Sequence, residues 1–158
     1  MTLIGSSGHQ DIPAASIDYV SSGVLREIKL TPRPLIGITS LAAGADQLFA
    51  RLVLANGGEL RVIIPSENYE TTFSTPEEQQ QYLQLRGKAT QVTVLQHPRP
   101  SEQAYLDAGR EIARLADYLI AVWDGKPARG KGGTADIVNY AQQLGKPVVV
   151  VWPDGVQR

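Results

Sequence analysis

One glycine-rich stretch, Asp124–Thr134, carries the residue types best suited to binding an anion, in the order DGKPARGKGGT. An apolar run precedes it and a helical pattern follows it, which predicts a turn between a strand and a helix. The first turn of that helix would direct its free N–H groups and the positive end of its dipole at a ligand. Glycine lets the backbone approach a ligand without a Cβ in the way and also allows positive φ, and the cationic side chains add charge. We predict a phosphate-binding site formed by Gly130, Lys131, Gly132, Gly133 and Thr134.

This stretch matches a P-loop only in part. Residues 125–131 fit the first seven positions of the pattern G-x-x-x-x-G-K-[ST], but the eighth residue is Gly132. The hydroxyl group that binds magnesium in a P-loop is therefore missing, and Pro127 also lacks a backbone N–H. These departures argue against a P-loop. A solvated basic loop with no ligand is the remaining alternative.

Size and charge limit the classes to which the chain could belong. With 158 residues, 42% of them hydrophobic, it suits a single domain, 1–158, that can bury a core. No apolar run reaches the ~18 residues of a membrane span and no signal-peptide pattern is present, so we expect a cytoplasmic protein with no membrane partner. A net charge of −1 argues against nucleic acid as a partner. Because cysteine is absent and the two histidines, His9 and His97, are far apart, we expect no metal and no cofactor.

Apolar strand patterns alternate with amphipathic helical patterns along the chain. The expected strands cover residues 2–5, 35–39, 60–64, 92–95, 118–123 and 147–152. Helices are expected between them, and the polar helix over 76–89 begins with the capping-box spacing of Thr75-Pro-Glu-Glu78. This alternation predicts a three-layer α/β/α fold with a doubly wound, mostly parallel, Rossmann-like sheet of about six strands.

In such a sheet the strand-to-helix turns lie at one edge, and ligands bind where the strand order reverses. Three of these turns are rich in glycine, serine and other small residues. Outside the central stretch, the candidate ligand-binding residues are Gly5, Ser6, Ser7, Gly8 and His9 in the first turn, and Ser40, Leu41, Ala42, Gly44 and Asp46 in the second. We expect the three turns to converge on one pocket.

Each polar candidate has both a ligand-binding and a structural interpretation. The serines could donate hydrogen bonds to phosphate oxygens or only cap their own turns. Asp46 could accept a hydrogen bond from a ribose hydroxyl or only stabilise the start of its own helix. His9 could contact a base or a phosphate, or bind the loop backbone. Asp124 could orient the loop or act as a general base.

With these motifs in this order, the chain resembles the SLOG superfamily of Rossmann-like proteins over nearly its whole length. The motifs are Gly5-Ser-Ser-Gly-His9, Ser40-Leu-Ala-Ala-Gly-Ala-Asp46 and Gly130-Lys-Gly-Gly-Thr134. The superfamily joins LOG-type nucleotide phosphoribohydrolases, often labelled lysine-decarboxylase-like, with DNA-processing protein A and with small stand-alone domains thought to sense nucleotide derivatives. The resemblance is closest to the stand-alone domains, and it implies a nucleotide-type ligand and a homodimer or higher homo-oligomer.

Departures from the LOG pattern P-G-G-x-G-T-x-x-E argue against its hydrolytic activity. Aligned on Gly133-Thr134, the position of the family's catalytic Glu holds Ile137. Asp136 lies one residue earlier, about 100° away on the helix, and the family's Arg falls near Ala108. The remaining weak catalytic candidates are Asp136, Asp124 and Arg110. The sequence favours a module that binds or senses a small nucleotide-derived ligand, with a diverged LOG-type hydrolase or a DNA-binding accessory as alternatives.

Overall fold

Six parallel strands form one sheet in the computed structural model, which describes residues 1–128 and 133–158. They are β1 (Thr2–Gly8), β2 (Leu35–Thr39), β3 (Glu59–Ile64), β4 (Gln91–Val94), β5 (Tyr118–Val122) and β6 (Val148–Val150). The α-helices of the same ranges are α1 (Ile17–Leu30), α2 (Ala45–Ala55), α3 (Pro76–Gly87), α4 (Glu102–Leu115) and α5 (Thr134–Gln143). Short 3-10 helices, Ala14–Ser16 and Tyr69–Thr72, precede α1 and α3. None of the helices in the described ranges combines the length and the apolar character that crossing a membrane requires.

The sheet order is β4-β3-β2-β1-β5-β6. Strand β1 pairs with β2 on one side, where Gly5 lies beside Ile38, and with β5 on the other, where Ser6 lies beside Ile120. The chain moves outward from β1 through β2, β3 and β4, then returns to place β5 on the opposite side of β1. The strand order therefore reverses between β1 and β5, the point at which open α/β sheets bind ligands.

Apolar clusters cover both faces of the sheet. On one face, Val20, Val24 and Ile28 of α1 recur at helical spacing and are fully buried, in a cluster shared with α2 and α3. On the other face, Ile112 of α4 and Ile137 of α5 belong to a second cluster. Helices thus lie on both sides of a parallel sheet, and the predicted three-layer Rossmann-like fold is confirmed.

Strand β1 is longer than its sequence suggests. The pattern predicts a strand that ends at Gly5 and turns at Ser6, but β1 continues to Gly8, which pairs with Val122 of β5. Serine and glycine are poor strand formers, so propensity places the break too early. Pairing with β5 on one side holds Ser6, Ser7 and Gly8 extended, whereas the pairing with β2 ends at Gly5.

Side chains cap the N-terminal ends of α3 and α4, and the cap of α3 is the capping box that the sequence predicts. Thr75 Oγ1 accepts a hydrogen bond from the Glu78 N–H at 3.2 Å, and Glu78 Oε2 accepts one from the Ser74 N–H at 3.2 Å. Ser101 Oγ accepts the Ala104 N–H at 3.0 Å at the start of α4. These side chains satisfy N–H groups that have no partner within the helix.

Candidate functional site

A cleft of about 470 Å³ opens at the carboxyl edge of the sheet, at the ends of β1, β2 and β3. The predicted site residues that line it are Ser6, Ser7, Gly8, His9, Ser40, Ala42, Asp46, Gly133 and Thr134. Helix α4 contributes one wall, and the 3-10 helix that follows β3 contributes another. The ends of β1 and β2 and the start of α5 therefore meet at one cleft.

Asp46 is the deeply buried carboxylate of this cleft, 7% exposed, in the first turn of α2. Its Oδ1 accepts a hydrogen bond from Ser6 Oγ at 3.0 Å, and its Oδ2 accepts one from the Ala42 N–H at 3.3 Å. Burial raises the pKa of this carboxyl from 3.8 to about 6, although the hydrogen bonds oppose the rise. A buried acid with a displaced pKa in a cleft is a common feature of functional sites. Asp46 and Ser6 form a polar floor suited to binding hydroxyl groups.

The turn before Asp46 has left-handed backbone at two positions, Leu41 with φ +57° and Gly44 with φ +79°. The Leu41 side chain is fully buried, and its N–H donates to Thr39 Oγ1 at 3.1 Å. Gly44 lies directly against the Gln10 carbonyl group. Neither Leu41 nor Gly44 lines the cleft. They shape the turn that places Asp46.

The glycines of β1 allow helices to pack closely on the strand. A Cβ at Gly5 would lie 2.8 Å from Ile112 of α4, and a Cβ at Gly8 would lie 2.5 Å from Ala45 of α2. Gly5 does not line the cleft, whereas Gly8 does. The prediction of a glycine-rich first turn is corrected, because both residues lie within β1 and their lack of a side chain accommodates α4 and α2.

His9 is buried between Asp124 and Arg158. Its Nε2 lies 3.2 Å from Asp124 Oδ1, and its Nδ1 lies 3.1 Å from Arg158 Nη1. A guanidinium group has only donors, so Nδ1 accepts the bond from Arg158, while the Asp124 backbone N–H donates to Nε2 at 3.1 Å. The Trp152 ring meets the imidazole edge to face, with 5.2 Å between ring centres. These contacts hold the His9 ring in one orientation.

Asp124 does not line the cleft, and its side chain is 1% exposed. Burial opposes its ionisation, but hydrogen bonds from the Lys126 N–H and from His9, with the charge of Arg158, hold the pKa of Asp124 below its ordinary value. A carboxylate that stays ionised and lies behind the cleft wall suits an orienting role better than that of a general base.

Helix α5 begins at the cleft. Gly133 is its N-cap, with φ −66° and ψ 166°, an extended conformation open to any residue, so the expected positive φ does not occur there. Gly133 and Thr134 line the cleft, while the predicted phosphate-binding residues Gly130, Lys131 and Gly132 lie outside the described residues. Ile137 also lines the cleft and is 1% exposed. The position that carries the catalytic Glu in the LOG pattern therefore presents an apolar side chain.

Two weak catalytic candidates lie elsewhere. Asp136 is exposed on α5 and does not line the cleft. Arg110 is exposed on α4, and its guanidinium carbon lies 5.4 Å from the centre of the Tyr140 ring, outside the cleft. Neither side chain is placed to act on a ligand in the cleft.

The cleft also has an aromatic wall to which the sequence analysis assigned no ligand contact. Tyr69, Phe73 and Tyr105 line it, with ring-centre distances from Tyr69 of 5.5 Å to Phe73 and 6.4 Å to Tyr105. Burial, together with the nearby Asp46 charge, raises the pKa of Tyr69 well above its ordinary value, so its hydroxyl keeps its proton. Arg158 also lines the cleft, and no local pattern in the sequence marks it. Two aromatic residues in the long connection after a strand were the available signal for this wall.

A Rossmann-like sheet with a cleft at the reversal of strand order defines the class of fold, and solved structures of low sequence identity share that fold. DNA processing protein A from Streptococcus pneumoniae matches 99% of this chain with a TM-score of 0.73 at 17% identity, and the match spans 52% of that protein. The molybdenum cofactor carrier protein from Chlamydomonas reinhardtii matches 94% of this chain with a TM-score of 0.59 at 16% identity, over 75% of its own length. At this level of identity the likeness shows the fold alone, which is a Rossmann-like α/β fold. No family model and no curated protein sequence matches the chain.

A further structural neighbour bears on nucleic acid as a partner. DNA processing protein A from Helicobacter pylori, described with a single-stranded DNA binding mode, matches 94% of this chain with a TM-score of 0.67 at 15% identity, over 64% of its own length. The expectation that nucleic acid is not a partner, drawn from net charge alone, gains no support from this neighbour.

Proposed function

We propose that this chain binds a small nucleotide-derived ligand in the cleft. The observation that carries the proposal is the meeting of the β1 and β2 ends and the α5 start around a buried Asp46 that Ser6 and Ala42 hold in place. A cleft of about 470 Å³ lies in the usual range for small-molecule sites. Its position, at the reversal of strand order, is where nucleotides bind in this class of sheet.

Three parts of the cleft match three parts of a nucleotide. The aromatic wall of Tyr69, Phe73 and Tyr105 offers ring faces and edges against which a base could pack. The Asp46 carboxylate can accept hydrogen bonds from the hydroxyl groups of a sugar. The first N–H groups of α5, at Gly133 and Thr134, suit a phosphate.

The proposal is for binding rather than hydrolysis. Cleavage of an N-glycosidic bond needs a carboxylate placed to activate water and to stabilise an oxocarbenium-like transition state. Ile137 occupies the position of the LOG glutamate, and Asp136 is exposed outside the cleft. Asp46 lies in the floor of the cleft, where Ser6 and Ala42 hold its two oxygens in place as acceptors for hydroxyl groups.

A panel of AMP, ADP, ATP, NAD, ADP-ribose and cyclic dinucleotides, tested by thermal shift, should contain a stabilising ligand. Binding to the native state alone at a hundredfold excess over Kd adds about 2.7 kcal/mol, which raises Tm by roughly 5–10 °C in a domain of this size. Ala42→Phe, which places a ring in the cleft, should abolish the shift, whereas Ala15→Phe on the exposed 3-10 helix should retain it. An equal shift in both variants would place the ligand elsewhere, and free base appearing by chromatography would indicate a hydrolase.

A second candidate is a DNA-binding accessory, favoured by the structural likeness to DNA processing protein A. DNA binding depends on phosphate contacts, so affinity must fall steeply as salt rises. With a net charge of −1, we expect binding of single-stranded oligonucleotides to be weak at 50 mM salt and lost near 200 mM, as measured by fluorescence anisotropy. Tight binding that persists at the higher salt concentration would favour the DNA-binding function instead.

A further inference from the structure

Arg158 lines the cleft with a side chain that is 14% exposed and held on three sides. Its Nη1 donates to His9 Nδ1 at 3.1 Å, and its Nη2 donates to the Pro127 carbonyl oxygen at 3.0 Å. Its Nε lies 3.4 Å from Asp124 Oδ2, within an ion pair. A guanidinium group has five N–H donors, so three contacts leave two of them for a ligand in the cleft.

The groups around Arg158 are themselves fixed. The Asp124 carboxylate contacts both Arg158 and the His9 ring, and Trp152 packs against that ring. Trp152 Nε1 also donates to the Val156 carbonyl oxygen at 2.8 Å, which ties down the segment that leads to Arg158. A side chain held in advance loses less conformational entropy when it binds a ligand.

Few charged side chains line the described part of the cleft. Among the cleft residues that the structure describes, Arg158 is the one lysine or arginine, and the carboxylates are Asp46 and Glu102. An anionic group would be repelled from Asp46 and attracted to Arg158. Ser7 and Thr134 also line the cleft and offer hydroxyl donors to the same kind of group.

We propose that Arg158 recognises a phosphate group of the ligand through its two free N–H donors, with Asp124 and His9 as its positioning residues. This rests on the proposed nucleotide-binding function and adds an orientation to it. The sugar hydroxyls face Asp46, the base lies toward the aromatic wall, and the phosphate lies at Arg158. Arginine suits this role because its fixed fork of donors matches phosphate oxygens.

The test compares inorganic phosphate, AMP and adenosine on the wild type and on Arg158→Gln, by isothermal titration and ³¹P NMR. We expect Arg158→Gln to weaken phosphate and AMP at least tenfold and to change adenosine less than twofold. Arg33→Gln is the matched control, because Arg33 is exposed beside the start of β2, at the opposite edge of the sheet. It should leave all three affinities unchanged.

Arg158→Gln leaves the buried Asp124 carboxylate without its ion-pair partner, so a charge-balanced double variant, Asp124→Asn/Arg158→Gln, accompanies it. The double variant should also lose phosphate binding. Phosphate affinity within twofold of the wild type in a folded double variant overturns the proposal, as does a wild type that binds no phosphate. If phosphate binding depends on Arg158 while AMP binds no more tightly than phosphate, the role of Arg158 stands and the nucleotide function fails.

Discussion

Gly44→Ala is expected to lower the free energy of unfolding by about 3–5 kcal/mol, the sum of a strained backbone and a steric clash. Gly44 has φ +79° and ψ −118°, a combination open almost only to glycine. A Cβ there would collide with the Gln10 carbonyl group and lie 2.7 Å from the His9 carbonyl oxygen. These are backbone atoms and cannot rotate away. Urea unfolding at constant pH measures the loss.

Gly57→Ala is the matched control for this prediction. Gly57 also has φ +79°, but a Cβ there would meet nothing within 4 Å. It should lose only the backbone contribution, roughly 1–2 kcal/mol. Equal losses in the two variants would show that the contact between the β2–α2 turn and the end of β1 does not stabilise the fold.

The same contact joins the two sides of the cleft. The Ala45 N–H donates to the His9 carbonyl oxygen at 3.1 Å, which ties the first turn of α2 to the end of β1. Asp46 follows Ala45 directly, so its position relative to Ser6 depends on this close approach. The glycine therefore acts on the site through the backbone, without contacting a ligand.

Sequence periodicity was enough to predict the fold. Val20, Val24 and Ile28 show helical spacing, and the apolar run 118–122 is typical of a strand covered on both faces, so alternation of the elements followed from local pattern. The placement of the strand-to-helix turns on one edge of the sheet then followed from the handedness of the connections. The error at the end of β1 came from residues whose strand state depends on pairing with β5.

The contacts within the cleft could not be predicted from the sequence, because they join residues that are far apart in the chain. Arg158 lies 149 residues from His9, and no local pattern marks it as part of the cleft. The buried state of Asp46, which displaces its pKa, depends on tertiary packing that a helix-start pattern does not contain. Small residues in the turns indicated where the site lies, but not which charged side chains line it.

Asp46 should make the stability of the protein fall as pH rises from about 4 to 7. Its pKa is raised from 3.8 to about 6 by burial, so the folded state holds the proton more tightly than the unfolded state. The stabilising contribution is fully present below the unfolded pKa and is lost as pH rises through the folded pKa. The rise in the pKa of Asp46 from 3.8 to about 6 corresponds to roughly 3 kcal/mol of stability at low pH.

Asp46→Asn removes this titration while keeping the shape of the side chain. The amide oxygen can accept the Ala42 N–H, and the amide nitrogen can donate to Ser6 Oγ, so both hydrogen-bonded partners stay satisfied. Chemical denaturation of the wild type and of Asp46→Asn between pH 4 and 8 measures the difference between their free energies of unfolding. The pH dependence contributed by groups that both proteins share cancels in this difference, including that of Asp124 with its lowered pKa. The wild type should lose roughly 2.5 kcal/mol relative to Asp46→Asn across this range, because the contribution is not yet complete at pH 4. Asp18→Asn, on the exposed face of α1, is the control for the substitution itself, because it makes the same chemical change outside the cleft. A flat difference for Asp46→Asn would mean that Asp46 is solvated in the folded protein, and its assignment as the buried carboxylate of the cleft would fail.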